Sequence, residues 1–256
     1  MKAALCAACI VLSLPCMSQA GSRVTYRGID GGASPTVLVG ANQLRIDADG
    51  DTRIIINPAT ASLLVLHLAE REYTRMDDAT LRRLTTQVNT TLSQLDDVLA
   101  NMPEELRGSV GDLMGNAGAG AGLDSVSLVN TGRAETASGL PCVIWRSQKA
   151  DETIAEACIG GIGAWDLEGS DRATVEASMG LLQAWLRQLQ KGALSRYFKA
   201  TTLPVDQVPL RVTQFDGGRR STSEFAGSDQ IDVAASDFQI PAGFRERAIE
   251  MPALGR

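Results

Sequence analysis

Apolar and polar residues alternate between evenly spaced turn signals from Arg23 to Met76. An alternation with a period of two is typical of half-buried β-strands, and the glycine, asparagine and proline residues between the runs favour tight turns. The pattern predicts an antiparallel meander of short strands: Arg23–Gly28, Thr36–Gly40, Gln43–Ala48, Thr52–Asn57, Ser62–Leu68 and Glu72–Met76.

The period changes to three and four residues after this meander. Leucine and valine recur at helical spacing from Asp78 to about Asn101, with Asp77 or Asp78 as the N-cap. A second stripe of this kind extends from about Asp171 to Lys191 and ends at Gly192. The sequence therefore predicts two long amphipathic helices, each with one face that has to be buried.

A short helix, a linker and further strands are predicted between and after the two long helices. A short helix is predicted from Pro103 to about Met114, followed by a flexible glycine-rich linker at residues 115–122. Further strands are predicted at Ser125–Arg133, Val208–Phe215, Arg219–Phe225 and Gln230–Ala234.

The segment from Pro141 to Ile159 predicts a hairpin that places Cys142 opposite Cys158. In this register Lys149-Ala150-Asp151 forms the loop, and Trp145 faces Ala155 on the side opposite the cysteines. Redox-active cysteine pairs usually lie very close in sequence, whereas these two are 16 positions apart. A structural disulfide is therefore favoured over a redox pair.

The first 20 residues have the parts of a secretory signal. Lys2 precedes an apolar run, and the small-residue exit Ser18-Gln19-Ala20 predicts cleavage between Ala20 and Gly21. A periplasmic location follows from this prediction. Lipid anchoring through Cys16 is the alternative, and it is disfavoured because Ser13 and Pro15 do not fit the residues that a lipoprotein signal places before its cysteine.

Charge and composition limit the classes of partner. Removal of residues 1–20, which contain Lys2 and no acid, changes the formal net charge from −6 to −7. Nucleic acid is not expected as a partner, since phosphate binding needs a basic face. No stretch after Ala20 approaches the length of a membrane-spanning helix.

No cofactor, metal or catalytic site is predicted, although four features of the sequence are candidates for such a site. His67 is the only histidine, and a local hydrogen bond in its strand is favoured over a catalytic role. The run from Asp47 to Asp51 lacks the spacing of a calcium loop, and the glycines at 115–122 lack the context of a phosphate-binding loop. The acidic cluster Asp166, Glu168 and Asp171 is more typical of a helix start than of a paired-carboxylate site.

Short motifs in a fixed order extend over nearly the whole chain after residue 20. They are Val39–Asp47, Glu72–Asp77, Asn130–Arg133, Gly139–Cys142 with Glu156–Cys158, and Phe238–Phe244. In order and spacing they resemble an uncharacterised family of exported bacterial envelope proteins, a domain of unknown function. That family is similar to the periplasmic lipoprotein-carrier (LolA/LolB-like) fold, an incompletely closed barrel with helices on its concave side. The resemblance implies no catalytic residues.

Together these observations predict one α+β domain over residues 21–256: a curved antiparallel sheet, an incomplete LolA/LolB-like barrel, with both long helices on its concave face. The expected function is noncatalytic binding of an apolar ligand, such as a lipid or an acyl chain, in the periplasm. The predicted lining is Val37, Val39, Leu64, Leu66, Trp145 and Trp185. The alternative is an envelope protein–protein interaction or scaffold module with a filled core, and an enzyme ranks third.

Overall fold

The computed structural model describes residues 18–101, 126–149, 152–189 and 203–249. The strands in this part of the chain are β1 (Ser18–Ile29), β2 (Thr36–Gly40), β3 (Gln43–Asp47), β4 (Thr52–Asn57), β5 (Ser62–His67), β6 (Glu72–Asp77), β7 (Val126–Ala137), β8 (Leu140–Lys149), β9 (Glu152–Gly161), β10 (Gln207–Asp216), β11 (Arg219–Ala234) and β12 (Arg245–Glu246). The long helices are α1 (Asp78–Ala100) and α2 (Gly169–Leu189), and short 3-10 helices span Ile162–Trp165 and Ala235–Phe238.

All described strands belong to one sheet, in the order β12-β6-β5-β4-β3-β2-β1-β11-β10-β9-β8-β7. Every pairing is antiparallel except that of β12 with β6, which is parallel. The long strand β1 joins the two halves, because it pairs with β2 along one edge and with β11 along the other. The end strands β7 and β12 do not pair with each other, so the predicted α+β class with an unclosed antiparallel sheet is confirmed.

The predicted meander corresponds to β1–β6. Strand β1 begins at Ser18, so it includes three residues of the predicted signal, and Ser18 pairs with Ala234. A chain that begins at Gly21 would retain the rest of this strand. The two predicted strands after residue 218 form the single strand β11, which passes through an irregularity at Gly227. Gly227 has a φ of 155°, a conformation that other residues rarely adopt.

The hairpin of β8 and β9 differs in register from the prediction. Ile144 lies opposite Cys158, and Trp145 lies opposite Ala157 rather than Ala155, because an irregularity between Ser147 and Gln148 shifts the pairing. Between Val143 and Ser147 the shift is two residues, which keeps those side chains on their predicted faces. Next to the loop the shift is one residue, and Lys149, which was predicted to lie in the loop, pairs with Glu152. The diagonal cysteines remain within bonding reach, with Cα atoms 5.4 Å apart, and the Cys142–Cys158 disulfide is formed. Ala150 and Asp151 lie outside the described residues, as do Cys16, the predicted short helix, the glycine-rich linker and Gly192.

Helix α2 covers one face of the sheet, which we call the helix face. It contacts β2 and β3, and Val175, Met179 and Leu182 pack in the same core as Val24 and Leu44. This is the burial that the apolar stripe of α2 requires. Helix α1 begins directly after β6, which it contacts, and Leu81 in its first turns is buried.

The opposite face, which we call the outer face, carries a second core. Ile55, Leu66 and Val233 point to this face, and Phe238 covers them from the segment that follows β11. Phe244 packs at the edge of the same cluster before β12 pairs with β6. Phe238 and Phe244 therefore cover part of the outer face of the sheet.

Buried polar contacts fix the position of α2 over the sheet. The hydroxyl of Ser22, at the centre of β1, donates to Asp171 Oδ2 at 2.5 Å, and Gln230 Nε2 donates to Ser22 Oγ at 2.9 Å. At the other end of the helix, Trp185 Nε1 donates to Asp78 Oδ1 at 2.9 Å. Because buried polar groups are costly when unpaired, these contacts select one placement of α2.

Candidate apolar ligand site

A cavity of about 440 Å³ lies at the helix face, between α2 and the strands. Its volume falls within the roughly 300–1,000 Å³ that is usual for small-molecule sites. Apolar side chains from both halves of the sheet, from α2 and from the segment before β10 make up most of its wall: Val37, Leu44, Ile46, Val175, Met179, Leu203, Val208 and Val212.

The wall follows from the periodicities of its elements. Val37 pairs with Ile46 across β2 and β3, and alternation along β3 directs Leu44 to the same face. On α2, Val175 and Met179 are four residues apart and therefore lie on one side of the helix. Strand β10 is separated from β2 by β1 and β11 in the sheet, and its residues Val208 and Val212 line the same cavity.

An aromatic group closes part of the cavity wall. Trp165 lies edge-on to Tyr26, with ring centroids 6.5 Å apart, and Tyr26 is edge-on to Phe225 at 6.2 Å. The Tyr26 hydroxyl donates to the carbonyl oxygen of Pro209 at 2.6 Å. Burial raises the pKa of Tyr26, and the nearby Trp165 indole opposes part of that rise, so the phenol stays neutral at physiological pH.

Two polar atoms at this wall are buried without a hydrogen-bond partner among the described residues: Trp165 Nε1 and Gln207 Oε1. The 3-10 helix that carries Trp165 is held next to the start of β10, because the Ile162 N–H donates to the Asp206 carbonyl at 2.7 Å. None of the described residues that line the cavity carries a formal charge. The described wall of the cavity is therefore uncharged and largely apolar.

The structure places the six residues of the predicted lining in different environments. Val37 lines the cavity, and Val39 is fully buried in the same core without reaching the cavity wall. Leu64 and Leu66 lie in the outer-face cluster instead. The apolar run of β5 has no alternation from which its faces could be assigned. Its pairing with β4 sets Leu63 opposite Ile56, on the helix face, and so turns Leu64 and Leu66 away.

The two predicted tryptophans also lie away from the cavity wall. Trp145 is buried opposite Ala157, and Trp185 is engaged with Asp78. Sequence analysis missed Tyr26, Trp165, Met179 and Gln207 as lining residues. Met179 had a signal, since it belongs to the predicted stripe of α2. No local pattern in the sequence marks Tyr26, Trp165 or Gln207 as lining residues, because these residues meet only through contacts between distant segments.

The remaining candidate residues do not converge on the cavity. His67 is half-buried at the end of β5, where it pairs with Thr52 and Glu72. Asp49 Oδ1 accepts hydrogen bonds from the backbone N–H groups of Asp51 and Thr52, which is the geometry of a hairpin turn. Across the described ranges, no group of three or more histidine, cysteine or acidic side chains is placed to hold a metal ion.

The acidic cluster before and within α2 is divided by the fold. Asp171 is 5% exposed and bonded to Ser22, whereas Asp166 and Glu168 are exposed. These carboxyl groups are therefore in different environments, and Asp171 has a structural contact of its own.

No helix in the described part of the chain is both long and apolar enough to cross a membrane.

A smaller, charged cavity of about 280 Å³ lies over β7–β11. Glu135 contacts Arg133 at 3.0 Å and also contacts Arg211, while Glu156 contacts Arg146 at 2.9 Å and Arg133 at 3.5 Å. The two glutamates thus pair with three arginines, with Arg133 shared between them, and their ion pairs connect strands β7, β8, β9 and β10. This arrangement is typical of a structural ion-pair network on the surface of a sheet.

Neither a protein-family model nor a curated protein matches the chain. Two solved structures of PNGF-II, in two crystal forms, are similar at TM-scores of 0.40 and 0.39, with 8% and 9% sequence identity over 91% and 90% of this chain. The chain spans only 31% and 32% of the length of those structures. Similarity at this level carries no functional assignment.

Proposed function

We propose that this protein binds an apolar small molecule, such as a lipid or an acyl chain, in the cavity between α2 and the sheet. The observation that supports this proposal most strongly is the cavity itself, which has an apolar, uncharged wall and a volume of about 440 Å³. Protein interiors normally contain few voids larger than a water molecule. A bound ligand would cover the apolar side chains of the wall and pack against them.

We propose that this binding is noncatalytic and takes place in the periplasm. The cavity wall offers the hydroxyls of Ser221, Ser223 and a neutral Tyr26, but no carboxylate, histidine or cysteine that could act as a base or nucleophile among the described residues. The export signal predicted at residues 1–20 and the resemblance to LolA/LolB-like carriers agree with a carrier outside the cytoplasm. Helix α2, covering one face of an unclosed sheet, would be the cover of such a site.

The proposal predicts saturable binding of a hydrocarbon probe. Diphenylhexatriene, which has no hydrogen-bonding group and fluoresces weakly in water, should bind the full-length protein at one site per chain with a clear rise in fluorescence. The driving force is removal of apolar surface from water on both partners. A fluorescence titration measures this directly, and a linear, unsaturated signal up to the solubility limit of the probe would contradict the proposal.

The alternative function, an envelope interaction module, is supported by a different observation. Among the described strands, β7 is a 12-residue end strand that pairs only with β8, and Val129 on it is 43% exposed. Such an edge can accept a strand from another protein. This function requires no ligand in the cavity, so the same titration separates the two proposals.

A further inference from the structure

We infer that the charged cavity over β7–β11 binds a small organic oxyanion, a carboxylate or phosphate attached to an apolar ring, through Arg220. This inference goes beyond the proposed function, because it concerns a second site and a different class of ligand. It is carried by an arginine that has no ion pair within the described residues and lies opposite an exposed aromatic side chain in a cavity of about 280 Å³.

The charged cavity lies on the opposite side of β10 from the apolar cavity. Thr213 and Phe215 line the charged cavity, whereas Val212 and Gln214 line the apolar one. Alternate residues of a strand point to opposite faces of a sheet, and the lining residues of β11 divide in the same way. The two cavities have no lining residue in common among those described, so each can be altered without changing the wall of the other.

The wall of the charged cavity has more positive than negative groups. The charged residues that line it are Arg133, Arg211, Arg220, Glu135 and Glu156, so three positive charges face two negative ones. Both glutamates are already engaged in ion pairs with arginines. A guanidinium has five N–H donors and no acceptor, so three of them have more donors than two carboxylates can accept. The wall therefore retains one positive charge and unused donors for a ligand.

Arg220 is the lining arginine that the ion-pair network leaves out. The residue is exposed, and its guanidinium forms no ion pair or hydrogen bond with another described residue. It extends from β11, whereas the two glutamates lie on β7 and β9, with β10 between. A ligand at Arg220 therefore meets the positive end of the wall. The planar guanidinium fits a carboxylate or a phosphate in bidentate geometry.

Phe215 provides an apolar surface next to this cation. Phe215 and Arg220 are directly opposite each other across β10 and β11, and Phe215 is 37% exposed. Residues in such positions have Cβ atoms about 4.5–5.5 Å apart. A ligand whose anionic group pairs with Arg220 can therefore place a ring against Phe215 and remove apolar surface from water. An inorganic anion gains only the ion pair, so a ring-bearing anion binds more tightly.

Isothermal titration calorimetry of the full-length protein with phenyl phosphate tests the inference. At a salt concentration of about 20 mM we expect saturable binding at one site per chain, weakened when salt is raised to about 200 mM. The affinity should be at least about 3-fold higher than that for inorganic phosphate, because of the ring. Phe215→Ala should remove this difference by weakening phenyl phosphate and leaving inorganic phosphate unchanged within about twofold.

Arg220→Gln should weaken phenyl phosphate about 10-fold or more, because it removes the charge-assisted hydrogen bonds. Arg219→Gln is the matched control: Arg219 is exposed and adjacent on β11, but it does not line the charged cavity. Its loss changes the net charge equally and should leave the affinity within about twofold of wild type.

Equal phenyl phosphate affinities in Arg220→Gln and Arg219→Gln, or a titration of wild type that does not saturate, would overturn the inference. Both variants should bind diphenylhexatriene as wild type does, since neither residue lines the apolar cavity. Failure of the inference is thereby distinguished from failure of the proposed function, in which diphenylhexatriene does not bind but phenyl phosphate does.

Discussion

Met179→Trp should weaken the binding of diphenylhexatriene by about 100-fold. Met179 projects from α2 into the cavity, where it faces the apolar side chains of β2, β3 and β10. An indole is larger and stiffer than the flexible methionine side chain, so it occupies the space that the ligand needs. Displacing a tightly fitted group costs about 1–3 kcal/mol, and about 1.4 kcal/mol corresponds to a tenfold change in affinity. The fluorescence titration of the variant measures the loss.

Ala177→Trp is the matched control for this variant. Ala177 lies two residues away on the same helix and is exposed, so its indole extends into solvent and leaves the cavity unchanged. Both variants should retain the circular dichroism spectrum of wild type, which excludes unfolding as the cause of lost binding. Equal probe affinity in Met179→Trp and Ala177→Trp would show that the probe binds elsewhere.

Leu66→Ala should lower the free energy of unfolding by about 2–5 kcal/mol and leave the affinity for the probe unchanged within about twofold. Leu66 is fully buried on the outer face, where it packs with Ile55, Val233 and Phe238. Truncation leaves a void in a core that the sheet separates from the ligand cavity. Urea denaturation measures the first effect, and the titration under native conditions measures the second.

Val37→Ala is the counterpart on the helix face. Val37 is buried like Leu66 but lines the cavity, so its truncation should change the affinity for the probe as well as the stability. The comparison tests which face of the sheet carries the site. A change in probe affinity in Leu66→Ala as large as that in Val37→Ala would contradict the assignment of the cavity to the helix face.

Much of the secondary structure could be predicted because its signals are local. The alternation and turn residues between Arg23 and Met76 correspond to strands β1–β6, and the apolar stripe that includes Val175 and Met179 corresponds to α2. The Cys142–Cys158 disulfide follows in the same way, since both cysteines lie on one face of a single hairpin. Each of these features depends on residues that are close together in the chain.

The candidate site could not be predicted, because pairings between distant segments create it. Strand β1 pairs with β11, and this pairing brings Tyr26 and Val37 to the same cavity as Gln207. The continuous apolar run of β5 gave no basis for choosing between Leu63 and Leu64 as the residue on the helix face. Only the register with β4 makes that choice. The irregularity between Ser147 and Gln148 likewise has no local sequence signal.

Native mass spectrometry of the protein purified gently from its own host tests most directly whether the cavity holds an apolar molecule. We predict a reproducible added mass on the wild-type chain that organic solvent removes and that is missing from Met179→Trp prepared in parallel. The released compound should be largely apolar. A bare polypeptide mass in both preparations, together with no binding of diphenylhexatriene, would contradict the proposed function and favour an interaction module with a filled core.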